Sequence, residues 1–449
     1  MGVPLSMKLS VIALGALTLL GVSLLPTAVS AAEATPSEPY SGDVWTRSTL
    51  TGDWDGVRNW LWAKGVTFDA RVTEIEQGVV GGGKNGSWEY GGRGILSALV
   101  DTQKLGLWPG GFLNLELEGN WADSVNAKTG ALIPVNTNQV FPVPGGANVG
   151  VPSLNFAQFF SPYAGVVVGK IDTLSGDDNA FAHGKGDGQF QNLSLNVNPV
   201  LLVVPYSPLA AGIVALPTKD PQQAIVKLLA TSANGNPQTA GFDDFHGALF
   251  VGEGRVRTDF GGLSGHQLLG ALYSNKRFTS LDQRFDPVIG GAGLAKKRDT
   301  WAVYYNFDQF LYETDKTAGK GVGVFGRFGA SAGEPDPVQY FYSIGVGGKG
   351  LVPRRDLDQF GIGYFYSSIR NPTLQLPIAG TKSFLRDEWG FEAFYNIALT
   401  PWLLVTPNVQ VIGPAQKHRL GRDAQGLPLL EPDTIGTATV LGLRWQVVF

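Results

Sequence analysis

Polar and charged residues recur at every second position within otherwise apolar runs of this chain. Asp69 and Arg71 interleave with Phe68, Ala70 and Val72, and Glu116 and Glu118 interleave with Leu115 and Leu117. Asn306 and Asp308 alternate with Tyr305 and Phe307, and Glu392 and Asn396 with Phe391, Ala393, Tyr395 and Ile397. At the end of the chain Arg444 and Gln446 alternate with Leu443, Trp445 and Val447. A period of two puts the polar set on one face of a strand and the apolar set on the other. Arg327 joins the polar face, and Lys170 and Asp172 extend it. Guanidinium, carboxylate and amide groups on one face can donate to and accept from a neutral, hydroxyl-rich solute. They can equally pair across an interior and select nothing. An ion-selective pore would more naturally show a ring of one sign.

Other candidate chemistry is thin. Cysteine is absent, which excludes disulfides, thiolate metal sites and cysteine nucleophiles. The four histidines, His183, His246, His266 and His418, are too scattered for a metal pair at helical spacing. No G-x-S-x-G elbow occurs. The runs Gly321–Gly326 and Gly345–Gly350 fit G-x-G-x-x-G, but neither opens a helix that could hold a pyrophosphate. They read as strand glycines that permit bends or widen an interior. Asp177, Asp178 and Asp187 lie in one Gly-rich loop and form a weak Ca²⁺ candidate against the commoner reading of a solvated loop. Trp88 and Trp121 stand near strand ends, either as flat platforms for a sugar ring or as belt residues at a membrane interface. An enzyme is not expected, and neither is a cofactor.

These side chains need elements to hold them. Segments of about ten residues, alternating and separated by turn residues, repeat to the C-terminus, as in a transmembrane barrel. Long links fall near 279–298, 370–386 and 413–433, and short ones near 261–265, 313–320, 348–356 and 399–402, with 332–337 a short member of the long set. That alternation suits a barrel with long loops on one side. The parity is lost between about 172 and 243, where 198–216 reads as one strand or two. The expected fold is all-β: a transmembrane antiparallel β-barrel of about sixteen strands, an even number. Ahead of it, 51–65 has Trp54, Val57 and Leu61 at helical spacing, with Thr51 or Asp53 to cap and Gly65 to stop a short amphipathic helix. Such a helix packs its apolar face on the barrel base or plugs its mouth.

Composition agrees. Hydrophobic residues make up 43% and charged residues 16%, below the ~25% usual in soluble domains. A wall that faces lipid does not need charges to cover it. The formal net charge of -4 offers no basic stripe, so nucleic acid is set aside as a partner. Lys8, the apolar run Leu9–Leu25, Pro26 and the small residues to Ala31 have the parts of a cleaved signal peptide, with an uncleaved anchor as the alternative. The reading therefore divides the chain into a signal peptide (1–31), a flexible lead (32–50), a short helix (51–65) and a barrel (66–449).

The terminal strand, with Trp445 and an aromatic last residue Phe449, resembles the signal by which outer-membrane barrels are recognised by their assembly machinery. Four stretches together resemble the carbohydrate-selective porins of the OprB family. The first is Leu50-Thr51-Gly52-Asp53-Trp54 with Gly56, Arg58 and Lys64-Gly65-Val66, where Asp55 replaces an expected glycine. Gly169-Lys170-Ile171-Asp172 is the second, and Gly345–Tyr364, with Arg355 and Asp358, the third. The fourth is Glu392, Tyr395-Asn396, Leu399-Thr400-Pro401-Trp402, Pro407, Gln410 and Pro414. The resemblance implies a sixteen-stranded barrel in outer-membrane lipid, passive diffusion of small sugars, loops folded inward and a homotrimer. The segments 132–152 and 171–189 are the candidates for those loops. A general or differently selective pore on the same scaffold is the alternative.

Overall fold

The computed structural model describes residues 38–449, apart from 141–147, 243–246, 285–293, 373, 377–379, 383 and 423–427. The expected signal peptide and the start of the lead lie outside the described residues. Sixteen strands close into one barrel. They are β1 Val66–Gly83, β2 Trp88–Asp101, β3 Gly111–Ala122, β4 Asn148–Ser161, β5 Ala164–Lys170 and β6 Leu209–Ala215. Then follow β7 Ala224–Ser232, β8 Ala248–Phe260, β9 Leu263–Thr279, β10 Lys296–Asp315 and β11 Lys320–Ser331. The last are β12 Val338–Lys349, β13 Gln359–Ile369, β14 Glu388–Thr400, β15 Leu403–Gly413 and β16 Gly436–Val448. Each pairs antiparallel with its neighbours, and β1 closes on β16. The stretch left ambiguous in the sequence holds one strand, β6, because 199–204 is instead coiled as turns.

Alternation turns into two faces. On β16, Leu441 and Trp445 stand out from the wall, 40% and 43% exposed, while Arg444 and Gln446, on either side of Trp445, are 1% and 3% exposed. In lipid this wall satisfies its own backbone, since a closed barrel has no edge. No helix among the described residues is long and apolar enough to cross a membrane, so the strands do the crossing. Where β1 closes on β16 the register shifts twice, between Val79 and Gly83. Gly82 sits there at φ +63, and a Cβ on it would run into the Thr437 carbonyl. Only glycine fits that bulge.

Residues at the N-terminus depart from the expected helix. The helix α1 is shorter, Val57–Ala63, its N-cap is Gly56, and no side chain caps it. Its apolar residues are not what it buries: Val57 is 52% exposed, whereas Arg58 is 2%. Arg58 donates to the Thr49 hydroxyl (2.9 Å), to the carbonyl of Phe68 (2.8 Å) and to a terminal oxygen of Phe449 (2.9 Å). It thereby ties α1 to the first and last strands, beside the barrel rather than across its mouth.

The barrel is filled by its own loops. Residues 171–208, between β5 and β6, and 123–140, after β3, bury Val125, Ile133, Val135, Phe181, Phe190, Leu193, Leu195 and Val200 in one core with the inner wall. Each large side chain fully buried there stabilises by about 1.5–3 kcal/mol. The inward stretch is longer than the 171–189 read from sequence.

Candidate functional site

The inward segment 171–208 has a stiff internal frame. The helix α2, Asn126–Thr129, belongs to the neighbouring loop, and α3, Leu193–Asn196, to the inward segment itself. Asn192 caps α3 by accepting from the Ser194 amide, and Asn198 caps the following 3₁₀ turn by accepting from Val200. The Phe181 ring packs on Phe310 (4.7 Å), and Phe190 packs on Phe325 (5.3 Å) and Phe394 (4.9 Å). Opposite these rings the wall is glycine. A Cβ on Gly347 would lie 2.7 Å from Phe181, and one on Gly361 would lie 2.7 Å from Phe190. These glycines of β12 and β13 thus widen the lumen to seat a segment of the chain.

Wall side chains grip that segment by its backbone. Arg327 donates to the carbonyls of Leu195 (2.7 Å) and Ala182 (2.5 Å) and pairs with Asp177. Arg444 donates to the carbonyls of Gly186 and Gln189 (2.9 Å) and to the Thr406 hydroxyl (3.2 Å). Glu392 accepts from the amides of Gln191 (2.7 Å) and Asn192 (2.8 Å), and Asn396 donates to the Gly188 carbonyl (2.8 Å). Asn306 accepts from the side chain of Asn198 (3.2 Å), Asp308 faces His266 (2.9 Å), and Gln446 donates to Thr73 (3.1 Å). Glu388, which the sequence reading did not single out, holds the other loop by accepting from Leu132 (2.6 Å) and Ile133 (3.1 Å).

The adjoining part of the wall, on β1–β3, meets the tip of the segment with charge. Arg93 pairs with Glu118 (2.7 Å) and lies 3.8 Å from Asp187. Arg71 lies 3.8 Å from Asp69 and 3.6 Å from Asp187. Lys185 pairs with Glu116 (2.9 Å) and with Asp172, and the Tyr206 hydroxyl donates to Glu118 (2.7 Å). Carboxylates outnumber cations here: Asp69, Glu116, Glu118, Asp172 and Asp187 against Arg71, Arg93 and Lys185. Several buried atoms of this cluster carry no hydrogen bond: Arg93 Nε and Nη1, Arg71 Nε, Glu118 Oε1, Asp69 Oδ1 and Asp187 Oδ1. Lys170 lies apart, its ammonium donating to the carbonyls of Asn236 (3.1 Å) and Thr239 (2.6 Å).

Two expectations are corrected. Asp177, Asp178 and Asp187 do not converge on a cation: Asp177 meets Arg327, Asp178 meets Arg255 (3.2 Å), and Asp187 meets Arg71 and Arg93. Guanidinium groups from separate strands already neutralise them. Trp88 and Trp121 are not lumen platforms. Trp121 leans over Gly92 and Gly94 on the outer wall and donates to Glu74 (3.3 Å), while Trp88 covers Gly78 on that wall. Both alternate with inward residues, so strand parity turns them toward lipid.

A family model described as carbohydrate-selective porin, OprB family, matches residues 86–449. The chain belongs to that family. As an OprB-family porin it is an outer-membrane barrel through which carbohydrates diffuse. Two solved structures of Pseudomonas putida OprB resemble it in fold. The high-pH structure has 20% identity and a TM-score of 0.73, over 91% of this chain and 100% of that one. The low-pH structure has 19% identity and a TM-score of 0.53, over 90% and 99%. No curated protein matches the chain in sequence. For this OprB-family chain the sequence reading missed Arg93, Lys185 and Tyr206. Arg93 stands among Gly91, Gly92 and Gly94, which break the alternation that would have marked it. Lys185 and Tyr206 lie on an irregular segment with no period at all.

Proposed function

We propose that small neutral sugars pass beside the charged face of β1–β3, handed along by Arg71, Arg93, Glu116 and Glu118 with Lys185, Asp187 and Tyr206 opposite. The observation that carries this reading is the meeting of Arg71 and Arg93 with Asp69 and Asp187 at 3.6–3.8 Å, charge pairs too long to be hydrogen bonds. A sugar hydroxyl both donates and accepts, so it satisfies a guanidinium and a carboxylate in turn. The Arg327, Arg444, Glu392 and Asn396 grips touch no solute in this scheme; they hold the segment that narrows the passage. No bond is made or broken, and transport is passive.

Conductance in a planar bilayer tests the reading, titrated with glucose and maltose and then with a neutral polymer of similar size. Saturable block by sugar but not by polymer is expected. Block by both alike would refute a sugar site. The excess of carboxylates supports a second reading, a general pore that prefers small cations, and conductance with a cation bias but no sugar block would favour it. The C-terminal strand is read as the assembly signal: Phe449 donates its amide to the Ala70 carbonyl (2.7 Å), which fixes it at the seam. Deleting Phe449 should reduce assembled barrel in the outer membrane, and unchanged assembly would dismiss that role.

A further inference from the structure

Residues 38–65 wrap the rim of the barrel where the chain's last residue lies. The Trp402 indole, in the turn between β14 and β15, donates to the Val44 carbonyl (2.7 Å). Further along, the Leu50 amide donates to Val448 (2.7 Å), and Arg58 reaches Phe68 and Phe449. Lys104, after β2, then sits 5.5 Å over the Trp62 ring. On the inner side of the collar two polar side chains are hidden, Arg58 2% and Asn59 8% exposed, and Asn59 accepts from the Tyr40 amide (3.2 Å), while Asp43, Asp55 and Lys64 are exposed. Its apolar residues are displayed: Trp45 is 73% exposed, Trp60 59%, Val57 52% and Trp54 43%.

In water this arrangement is unfavourable, because it leaves three indoles exposed on one collar. At the edge of a bilayer it is the favourable arrangement. Tryptophan prefers the headgroup level, where its ring is shielded and its N–H still finds partners. Lys64 is exposed on the helix face of Val57 and Trp60, where a long cationic side chain can reach lipid phosphates. The collar is also continuous with the outward-facing wall of this outer-membrane barrel, since Arg58 bonds to β1 and Leu50 to β16.

We propose that Trp45, Trp54, Val57 and Trp60 form an interfacial anchor, inserted into the phospholipid headgroup layer at this rim. The anchor fixes the depth and tilt of the barrel and keeps the seam between β1 and β16 beneath lipid. Its partner is a phospholipid surface, and the contact needs no particular headgroup.

The chain has no cysteine, so one introduced thiol can be labelled alone. The full barrel carrying Trp60→Cys with an environment-sensitive fluorophore is reconstituted into phosphatidylcholine vesicles with brominated acyl chains. Asp356→Cys, in the turn after β12 and 66% exposed, is the aqueous reference. Quenching by brominated lipid several-fold stronger at 60 than at 356, with iodide acting mainly at 356, is expected. Iodide quenching at 60 equal to that at 356 would overturn the anchor. If Trp60→Cys fails to assemble, Val57→Cys on the same helix face gives the same reading, and the same two outcomes decide.

Discussion

The two faces of the lumen are built from the same residue types and do different work. On β10–β16, Arg327, Arg444 and Glu392 spend their hydrogen bonds on the backbone of residues 182–195. On β1–β3, Arg71, Arg93 and Glu118 face charged side chains instead, Arg93 pairing with Glu118 at 2.7 Å and Arg71 and Arg93 lying 3.6 and 3.8 Å from Asp187. A backbone carbonyl is a fixed, neutral acceptor, so the first face becomes a rigid mount. A charged tip held by long ion pairs can exchange partners with a passing solute, so the second remains a surface for exchange. The residue type does not set the role; the partner does.

That contrast can be broken at its strongest point first. Arg327→Ala removes a fully buried cation and strands Asp177 and two carbonyls, a change expected to cost about 3–5 kcal/mol. The segment should loosen, with larger and noisier single-channel conductance and a lower heat-unfolding temperature. Conductance identical to the parent would show that the mount is not needed. Phe190→Ala attacks the same mount through packing and should cost about 3 kcal/mol in stability. Thermal unfolding in detergent measures it, and an unshifted midpoint would mean that the Phe325 and Phe394 contacts contribute little.

On the other face the effects should be smaller and of another kind. Arg93→Ala should weaken sugar block about tenfold, equivalent to about 1.4 kcal/mol, and should also lower the unfolding temperature, because it leaves the buried Glu118 without its 2.7 Å partner. A large loss of stability with sugar block intact would reverse the assignment of the two faces. Glu116→Gln removes one of the surplus carboxylates and should produce the smallest effect, a reduced cation preference read from the reversal potential in a salt gradient. An unchanged reversal potential would take Glu116 out of the passage.

Much of the wall was legible because its signal is local. Leu441, Leu443, Trp445 and Val447 alternate with Arg444 and Gln446, and one period places all six side chains. The same rule turned Glu392 and Asn396 inward. It failed at Arg93, where neighbouring glycines have no side chain to show a face, and at Asn198–Leu216, where prolines and apolar residues suit strand or turn alike. Near the N-terminus, helical spacing found a helix but assigned its apolar face to the interior. Burial there is decided by Arg58 reaching Phe449, 391 residues away.

The sequence by itself determined a period-two wall, its inward and outward faces, its alternation of long and short links and its membrane setting. These follow from backbone geometry over a few residues and from the demand that lipid sees no unpaired peptide groups. Only the tertiary structure decided which inward charges grip backbone and which meet other charges. Arg327 meets Leu195 across 132 residues of chain and Glu392 meets Gln191 across 201, and nothing in a strand's period encodes so distant a partner. The segment 171–208 has no regular period because its conformation is imposed from outside, by glycines that make room for it and side chains that grip it.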